Sequence, residues 1–393
     1  MVSKPSGLAA RYLSPVLAYS RFVREKYTYI ILSTLVIAVV VGLFTASPGV
    51  YIRQFNTPLI VIMIAAMGFT ITFKSLVTAA RDWKGFSFGL VLNFLFAPFL
   101  CWALAQLFLS SHTDLATGLI LIGVVPCAGM AMVWAGLLKG DVPLATVINA
   151  ATMILAPFLI PLLMSLFAGT FVNISTWGMF KNLVFTVLFP VLGGVILREL
   201  VGRRVNIHKY LPAMPAVSAT MAVLLMFMAI NTSISPVIKN VGLIAPLVIS
   251  TILIFPVLFV VAYLVSLMLF PRGKNIAITY SSGMKNLPIA IGIAAMSFKG
   301  LEMLPVAVGF AFQMLTAVTF YQLFRRVISL RVVDVSKLLP NSNCKECGEP
   351  HCVAFAAKLV DGEIELTRCS PLLSGRYEEK RQKLVELLQN ARR

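Results

Sequence analysis

The chain has 393 residues, of which 59% are hydrophobic and only 12% charged. Soluble domains carry roughly 25% charged residues, so this balance excludes an ordinary soluble enzyme or binding module and points to a polytopic membrane protein. The formal net charge of +18 raises the idea of nucleic acid, but the basic residues fall between apolar runs and at the two ends, as a cytoplasmic-side bias places them, so no nucleic-acid partner is expected.

The first apolar run begins near Thr28, behind a basic lead (residues 1–27) with Lys4, Arg11, Arg21, Arg24 and Lys26. It reads as a retained span behind a cytoplasmic lead, not as a cleaved signal. A helical crossing needs roughly 20 mostly apolar residues. Ten stretches qualify: 28–46, 57–74, 86–110, 115–138, 143–167, 179–197, 213–232, 243–270, 275–298 and 302–324. The third and eighth are long enough to tilt or to project beyond the bilayer.

With the N-terminus inside, the inner segments hold the five basic residues of the lead. They also hold Lys74, Arg81, Lys84, Lys139, Arg198, Arg203, Arg204, Lys209, Arg272, Lys274, Arg325, Arg326 and Arg331. The outer side holds only Arg53, Lys181, Lys239 and Lys299. This asymmetry sets both termini in the cytoplasm and makes the chain a multi-pass protein of the cell (inner) membrane, within a lipid bilayer.

Prolines suggest a repeat. Pro98 and Pro256 lie in the third and eighth stretches, 158 residues apart, and Pro126 and Pro288 in the fourth and ninth, 162 apart. Five spans per half reverse the direction of entry, giving an all-α fold with a 5+5 inverted repeat over residues 28–326. Proline is also simply commoner in membrane helices than in soluble ones. Pro126 and Pro288 should each interrupt a helix, because proline lacks an N–H and clashes with the carbonyl four residues back. Broken backbone at membrane depth survives where it lines protein or a water-filled cavity, and its freed groups can serve as ligands. The alternative is a kink closed by neighbouring helices.

Pro126-Cys127-Ala128-Gly129-Met130, followed by Val133-Trp134, Leu137 and Lys139-Gly140-Asp141, resembles the fourth helix of the arsenite-efflux permeases, within the bile acid:sodium symporter superfamily. Ser282-Gly283-Met284-Lys285-Asn286-Leu287 resembles the broken ninth helix of sodium-coupled members. The resemblance implies ten helices in a panel and a core, two broken helices (the fourth and ninth) crossing in the core, and alternating access. It also implies that Cys127 matches the essential thiol of the arsenite permeases, a soft ligand suited to trivalent arsenic. A free cysteine is equally a common buried hydrophobe, and Cys101 reads that way.

This sequence departs from the pattern at the ion sites. Sodium-coupled members carry Glu and Gln where this chain has Ser281 and Lys285, and a Ser-Asn pair where it has Ala131 and Met132. Their fifth-helix Ser and Thr fall on Ala145 and Asn149, and the arsenite permeases have Glu at Asn286. Sodium coupling is therefore not expected. A lysine at the bilayer centre costs at least about 2.5–3.5 kcal/mol, so Lys285 should face a cavity or a partner. Its ammonium can replace sodium and pair with an anionic substrate, or burial can make it the carrier of a coupled proton. Snorkelling to an interface is the remaining reading. The expected transport residues are Pro126, Cys127, Asn149, Lys285, Asn286 and Pro288.

Beyond Arg331 the composition turns polar, which reads as a small cytoplasmic domain on a short tether. Cys344, Cys347, Cys352 and Cys369 follow a C-x2-C-x4-C-x16-C spacing that can wrap an iron–sulfur cluster, with Gly348 for the tight turn and a helix near Val353–Leu359. Residues 335–375 resemble the four-cysteine [4Fe-4S] domains of Rnf-type B subunits and of the corrinoid iron–sulfur protein, with Phe355-Ala356 and Pro371 in the family places. Structural zinc is the alternative. His351 reads as a solvated neighbour. Residues 376–393 form an amphipathic helix that caps this domain or lies on the inner leaflet.

The expected function is a secondary transporter for a small-molecule or ion substrate, an arsenite-like oxyanion or an organic anion. The cluster would serve redox regulation or dock a cytoplasmic electron-transfer protein. The alternative is a membrane-anchored electron-transfer subunit with a vestigial transporter fold. No His/carboxylate constellation sits near a nucleophile, so no enzyme is expected.

Overall fold

In a computed structural model, the described residues are 7–71, 82–202, 207, 211–239, 241–298, 300–361 and 363–392. Among them every regular element is a helix, and the only β pairing is one isolated bridge. α1 spans Gly7–Phe44. α2 (Ser47–Arg53) and α3 (Asn56–Gly68) follow, bent by 62° relative to each other. α4 (Trp83–Val91), a π-turn at Leu92–Phe96 and α5 (Ala97–Leu109) run on from one another. α6 (Thr113–Val124), α7 (Met130–Leu137) and α8 (Val142–Phe167) complete the first half.

The second half opens with α9 (Thr176–Leu183), a π-turn at Val184–Leu188 and α10 (Phe189–Gly202). Then come α11 (Met214–Lys239), α12 (Ile244–Leu269), α13 (Arg272–Gly283), α14 (Leu287–Ser297) and α15 (Met303–Leu338). The tail adds α16 (Cys352–Asp361), α17 (Ser370–Leu373) and α18 (Glu378–Arg392).

Among the described residues, seven helices are long and apolar enough to cross a membrane, or eight if the bent α2–α3 pair counts as one span. The expected fourth and ninth spans are instead pairs of short helices, α6/α7 and α13/α14. At 1.5 Å per residue the 12 residues of α6 reach only about 18 Å, short of a roughly 30 Å hydrocarbon core. Residues 72–74 of the second expected span lie outside the described residues, as do Lys4, Lys74, Arg81, Arg203, Arg204, Lys209 and Lys299.

The first candidate span, Glu25–Phe44, starts close to where the sequence put it. The basic lead before it is itself helical from Gly7 and runs into the span without a break, with Val23 and Tyr27 buried and Tyr19 Oη 2.6 Å from Thr220 Oγ1 of α11. The tether differs from the sequence reading: α15 continues as helix to Leu338. Polar composition alone does not end a helix that lacks a Pro or Gly stop.

α1, α2, α3, α10 and α11 pack on one another, and α5 to α8 pack with α12 to α15. Asn231 of α11 stitches the first group, accepting from Gly49 N–H at 2.9 Å and donating to the Thr45 carbonyl at 3.0 Å. α3 and α10 meet backbone to backbone: a Cβ on Gly68 would fall on the Val191 carbonyl, and one on Gly194 on that of Ala65. Small residues permit this approach between membrane helices. The tail has its own core of Val335, Leu339, Phe355, Ala356, Leu359, Leu372 and Leu384. Burying Leu384 contributes about 1.5–3 kcal/mol and docks α18 on the tail domain, which decides between the two placements left open for the amphipathic helix.

Candidate functional site

The two broken helices meet at residues 125–129 and 284–286. Pro126 lies in the first gap, after α6 stops at Val124. Pro288 lies at the start of α14, where its missing N–H costs nothing. The freed backbone groups pair across the gap: Ala128 N–H donates to Met284 O at 2.9 Å and Asn286 N–H to Pro126 O at 2.8 Å. Cys127 and Lys285 thus form an antiparallel bridge.

Side chains satisfy what the bridge leaves over. Cys127 N–H donates to Thr152 Oγ1 at 3.2 Å, and its carbonyl accepts from Asn149 Nδ2 at 2.9 Å. Lys285 N–H donates to Gln313 Oε1 at 2.8 Å. An unpaired buried group costs about 1–3 kcal/mol, so Asn149, Thr152 and Gln313 are what permits two broken helices at membrane depth.

The Lys285 side chain is 0% exposed. Its ammonium donates to Asn93 O at 3.2 Å and Asn93 Oδ1 at 3.1 Å. Asn93 lies in the π-turn between α4 and α5 and also donates from Nδ2 to Gly89 O at 2.9 Å and Ser281 O at 3.0 Å. Single π-turns within helices are frequent at functional sites.

Beside the crossing lies a cavity of about 140 Å³ between the two helix groups. Ala128, Gly129 and Met130 line it from α7 and its approach, Met284, Asn286 and Pro288 from the second break, and Gln313 from α15. Met67, Thr70, Tyr27 and Ser218 close the other side. None of the described lining residues is charged. Asn286 Nδ2 lies 3.6 Å from Met67 Sδ. The amino ends of α7 and α14 both come to this wall, and a helix amino end carries about half a positive charge.

Of the expected transport residues, Asn286 and Pro288 therefore stand on the cavity wall. Cys127 and Lys285, both 0% exposed, are not among the cavity-lining residues, and Asn149 holds the backbone of Cys127. Asn93, Thr152 and Gln313 escaped the sequence reading. The signal was available for Asn93 and Gln313, which are polar residues deep inside apolar stretches and hence functional candidates.

In the tail, Cys344, Cys347, Cys352 and Cys369 line one small pocket with Leu339, Phe355 and Pro371. The loop turns through left-handed residues at Asn341, Asn343, Lys345 and Gly348, backbone that directs N–H groups towards an anionic centre. Asn343 Oδ1 caps α16 by accepting Cys352 N–H at 2.8 Å, and His351 Nδ1 accepts Ala354 N–H at 3.0 Å. That nitrogen is thus engaged by the backbone and unavailable to a metal.

Among the described residues, no three His, Cys, Asp or Glu side chains converge closely enough for one metal ion. Four thiols around one shared pocket are a ligand set that can hold an iron–sulfur cluster. The tail meets the membrane domain through α15 and through an ion pair, Lys139 Nζ to Glu363 Oε1 at 2.9 Å.

Both parts are similar to known families. Residues 57–240 match the model of the Sodium Bile acid symporter family, and residues 339–371 match the model described as "Putative Fe-S cluster". The uncharacterised sodium-dependent transporter YocS of Bacillus subtilis is 28% identical over 186 residues, covering 47% of this chain and 56% of YocS. The arsenical-resistance protein Acr3 of Corynebacterium glutamicum is 24% identical over 221 residues, 52% of this chain and 60% of Acr3. The tail is 41% identical over 59 residues to the gamma subunit of the acetyl-CoA decarbonylase/synthase complex of Methanocaldococcus jannaschii, 15% of this chain and 12% of the subunit. The chain thus spans a little over half the length of these two transport relatives and a small part of the third. Part of its membrane region is thus similar to the Sodium Bile acid symporter family, and its C-terminal tail to an Fe-S cluster domain.

Proposed function

We propose that this protein is a secondary transporter that moves a small organic anion across the cell membrane by alternating access. Each broken pair, α6/α7 and α13/α14, then crosses the bilayer as one span. With the bent α2–α3 pair this makes ten crossings in a 5+5 inverted repeat with both termini in the cytoplasm. The order long helix, broken pair, long helix recurs in residues 83–167 and 241–338, which supports the repeat.

One observation carries the reading: two half-helix amino ends and Asn286 meet on the wall of a largely apolar cavity. Such ends favour an anionic group, and broken helices place substrate sites at the midplane of transporters. A cavity of about 150 Å³ holds a benzene-sized body, so the occupant is a small carboxylate with an apolar portion. In the proposed orientation Tyr27, Thr70 and Pro215 of the lining are near the inner ends of their spans, so the cavity would extend from the crossing towards the cytoplasm.

The similarity to Acr3 favours arsenite as a second reading, through Cys127. Against it, the Cys127 sulfur lies behind the wall, with its Sγ 3.4 Å from the Ala128 carbonyl. We assign the four tail cysteines to a [4Fe-4S] cluster, which when bound would supply one-electron redox chemistry for regulation or for contact with an electron-transfer protein. The test is uptake into proteoliposomes of a panel of small carboxylates alongside arsenite, with wild type and Cys127→Ser. Saturable carboxylate uptake that survives Cys127→Ser is expected. Uptake confined to arsenite and lost in Cys127→Ser would replace the organic anion. No uptake of any solute would favour an electron-transfer subunit.

A further inference from the structure

Lys285 carries a charge that the anion path does not touch. Its side chain is 0% exposed and is not among the cavity-lining residues, and both acceptors of its ammonium belong to Asn93, a neutral residue. Among the described residues it makes no ion pair. The titratable groups facing it are the thiols of Cys101 on α5 and Cys127 at the crossing, with no carboxylate between them. A charge at this depth is retained only where the surroundings require one.

The surroundings are those of a cation site. α6 ends at Val124 and α13 at Gly283, so two half-helix carboxyl ends, each carrying partial negative charge, arrive at the crossing. The π-turn leaves the Asn93 carbonyl to accept from the ammonium, and Asn93 Nδ2 ties it to the Ser281 carbonyl at 3.0 Å. The last turn of α13 also carries the buried hydroxyls of Ser281 and Ser282, and among the described residues Ser282 Oγ has no hydrogen-bond partner. Half-helix carboxyl ends and unwound carbonyls are the donors with which secondary transporters hold a coupling cation.

We infer that Lys285 is a tethered cation: its ammonium fills a monovalent-cation seat built on Asn93, beside the last turn of α13, so the carrier cycles without a co-transported ion. The inference rests on the transporter reading for its functional consequence, and on the geometry alone for the seat. Deleting the side chain vacates the seat, and a free cation of similar size should then occupy it.

The experiment compares wild type with Lys285→Ala in buffers of choline alone and of choline with sodium, lithium or methylammonium. Wild-type carboxylate uptake is expected to be indifferent to the added cation. Lys285→Ala uptake should fall at least about tenfold in choline and recover substantially with one of the small cations. In detergent, the same cations should raise the melting temperature of Lys285→Ala, because a ligand that binds only the folded state stabilises it. They should not do so for wild type or for the double variant Lys285→Ala with Asn93→Leu.

Lys285→Gln, which keeps a donor for Asn93, serves if the alanine variant does not fold, with the same cation response expected. Uptake and melting of the lysine variants that ignore all three cations would overturn the proposal, as would sodium-dependent uptake by wild type. If no protein carries any carboxylate, the transporter reading fails, and the melting shift still decides the seat.

Discussion

The crossing in the membrane and the cysteine loop in the tail are both built at interruptions between helices, yet they are held by different means. At the crossing the backbone carries the chemistry: bridged strands, two amino ends on one side and two carboxyl ends on the other, with Asn149, Thr152 and Gln313 completing hydrogen bonds. In the tail the side chains carry it, and the loop only orients four thiols around a pocket. A site of the first kind tolerates changes in residue type where geometry is kept. A site of the second kind is lost with any one ligand.

The largest effect should follow from breaking the second kind. Cys352→Ser, or stripping iron with a chelator, should remove all cluster-bound iron and loosen the tail, because binding free energy at such sites is folding free energy. Iron and sulfide content and the visible absorbance of the purified protein check this. Retention of a full complement by Cys352→Ser would place the cluster elsewhere.

Next in size is Asn93→Leu, which strands the Lys285 ammonium. Removing one partner of a buried charge costs roughly 3–5 kcal/mol, measurable as a large fall in melting temperature that Lys285→Met in the same chain partly reverses. Gly283→Ala should cost about 1–3 kcal/mol by overpacking, since its Cβ would enter the ring of Phe259. A crossing that needs only the right residue types would absorb that methyl.

The smallest effect is at the contact between the two regions. The Lys139 ammonium holds the Glu363 carboxyl below its usual range. A carboxyl lowered on folding contributes above its ordinary pKa of about 4.3, and that contribution fades as pH falls through the lowered value. The pair is exposed, with side chains 59% and 50% accessible, so salt should weaken it as well. Protease sensitivity of the tail at acid and neutral pH, in wild type and Glu363→Gln, measures this. The two proteins should differ at neutral pH and converge in acid.

The layout of the tail was legible in the sequence because cysteine spacing is a linear signal: the four cysteines share one pocket, with the Gly348 turn and the following helix beside them. The breaks were legible for a similar reason, through Pro126 and Pro288. What spacing does not reveal is which side of a broken helix faces the cavity. Alternation along the bridge puts Ala128, Met284 and Asn286 on the cavity wall, while the conspicuous residues Cys127 and Lys285 are not among the lining. The partner of Lys285 was hidden too, since Asn93 lies 192 residues away in sequence and reaches it only through a π-turn that composition does not announce. The tether failed for a simpler reason, as nothing in residues 327–338 stops a helix.

The most direct measurement is carboxylate uptake by proteoliposomes carrying wild type, Asn286→Leu or Cys127→Ser. An anion held at the meeting of two helix amino ends predicts that Asn286→Leu raises KM or abolishes uptake while Cys127→Ser leaves it near wild type. Normal uptake by Asn286→Leu together with its loss in Cys127→Ser would contradict that placement.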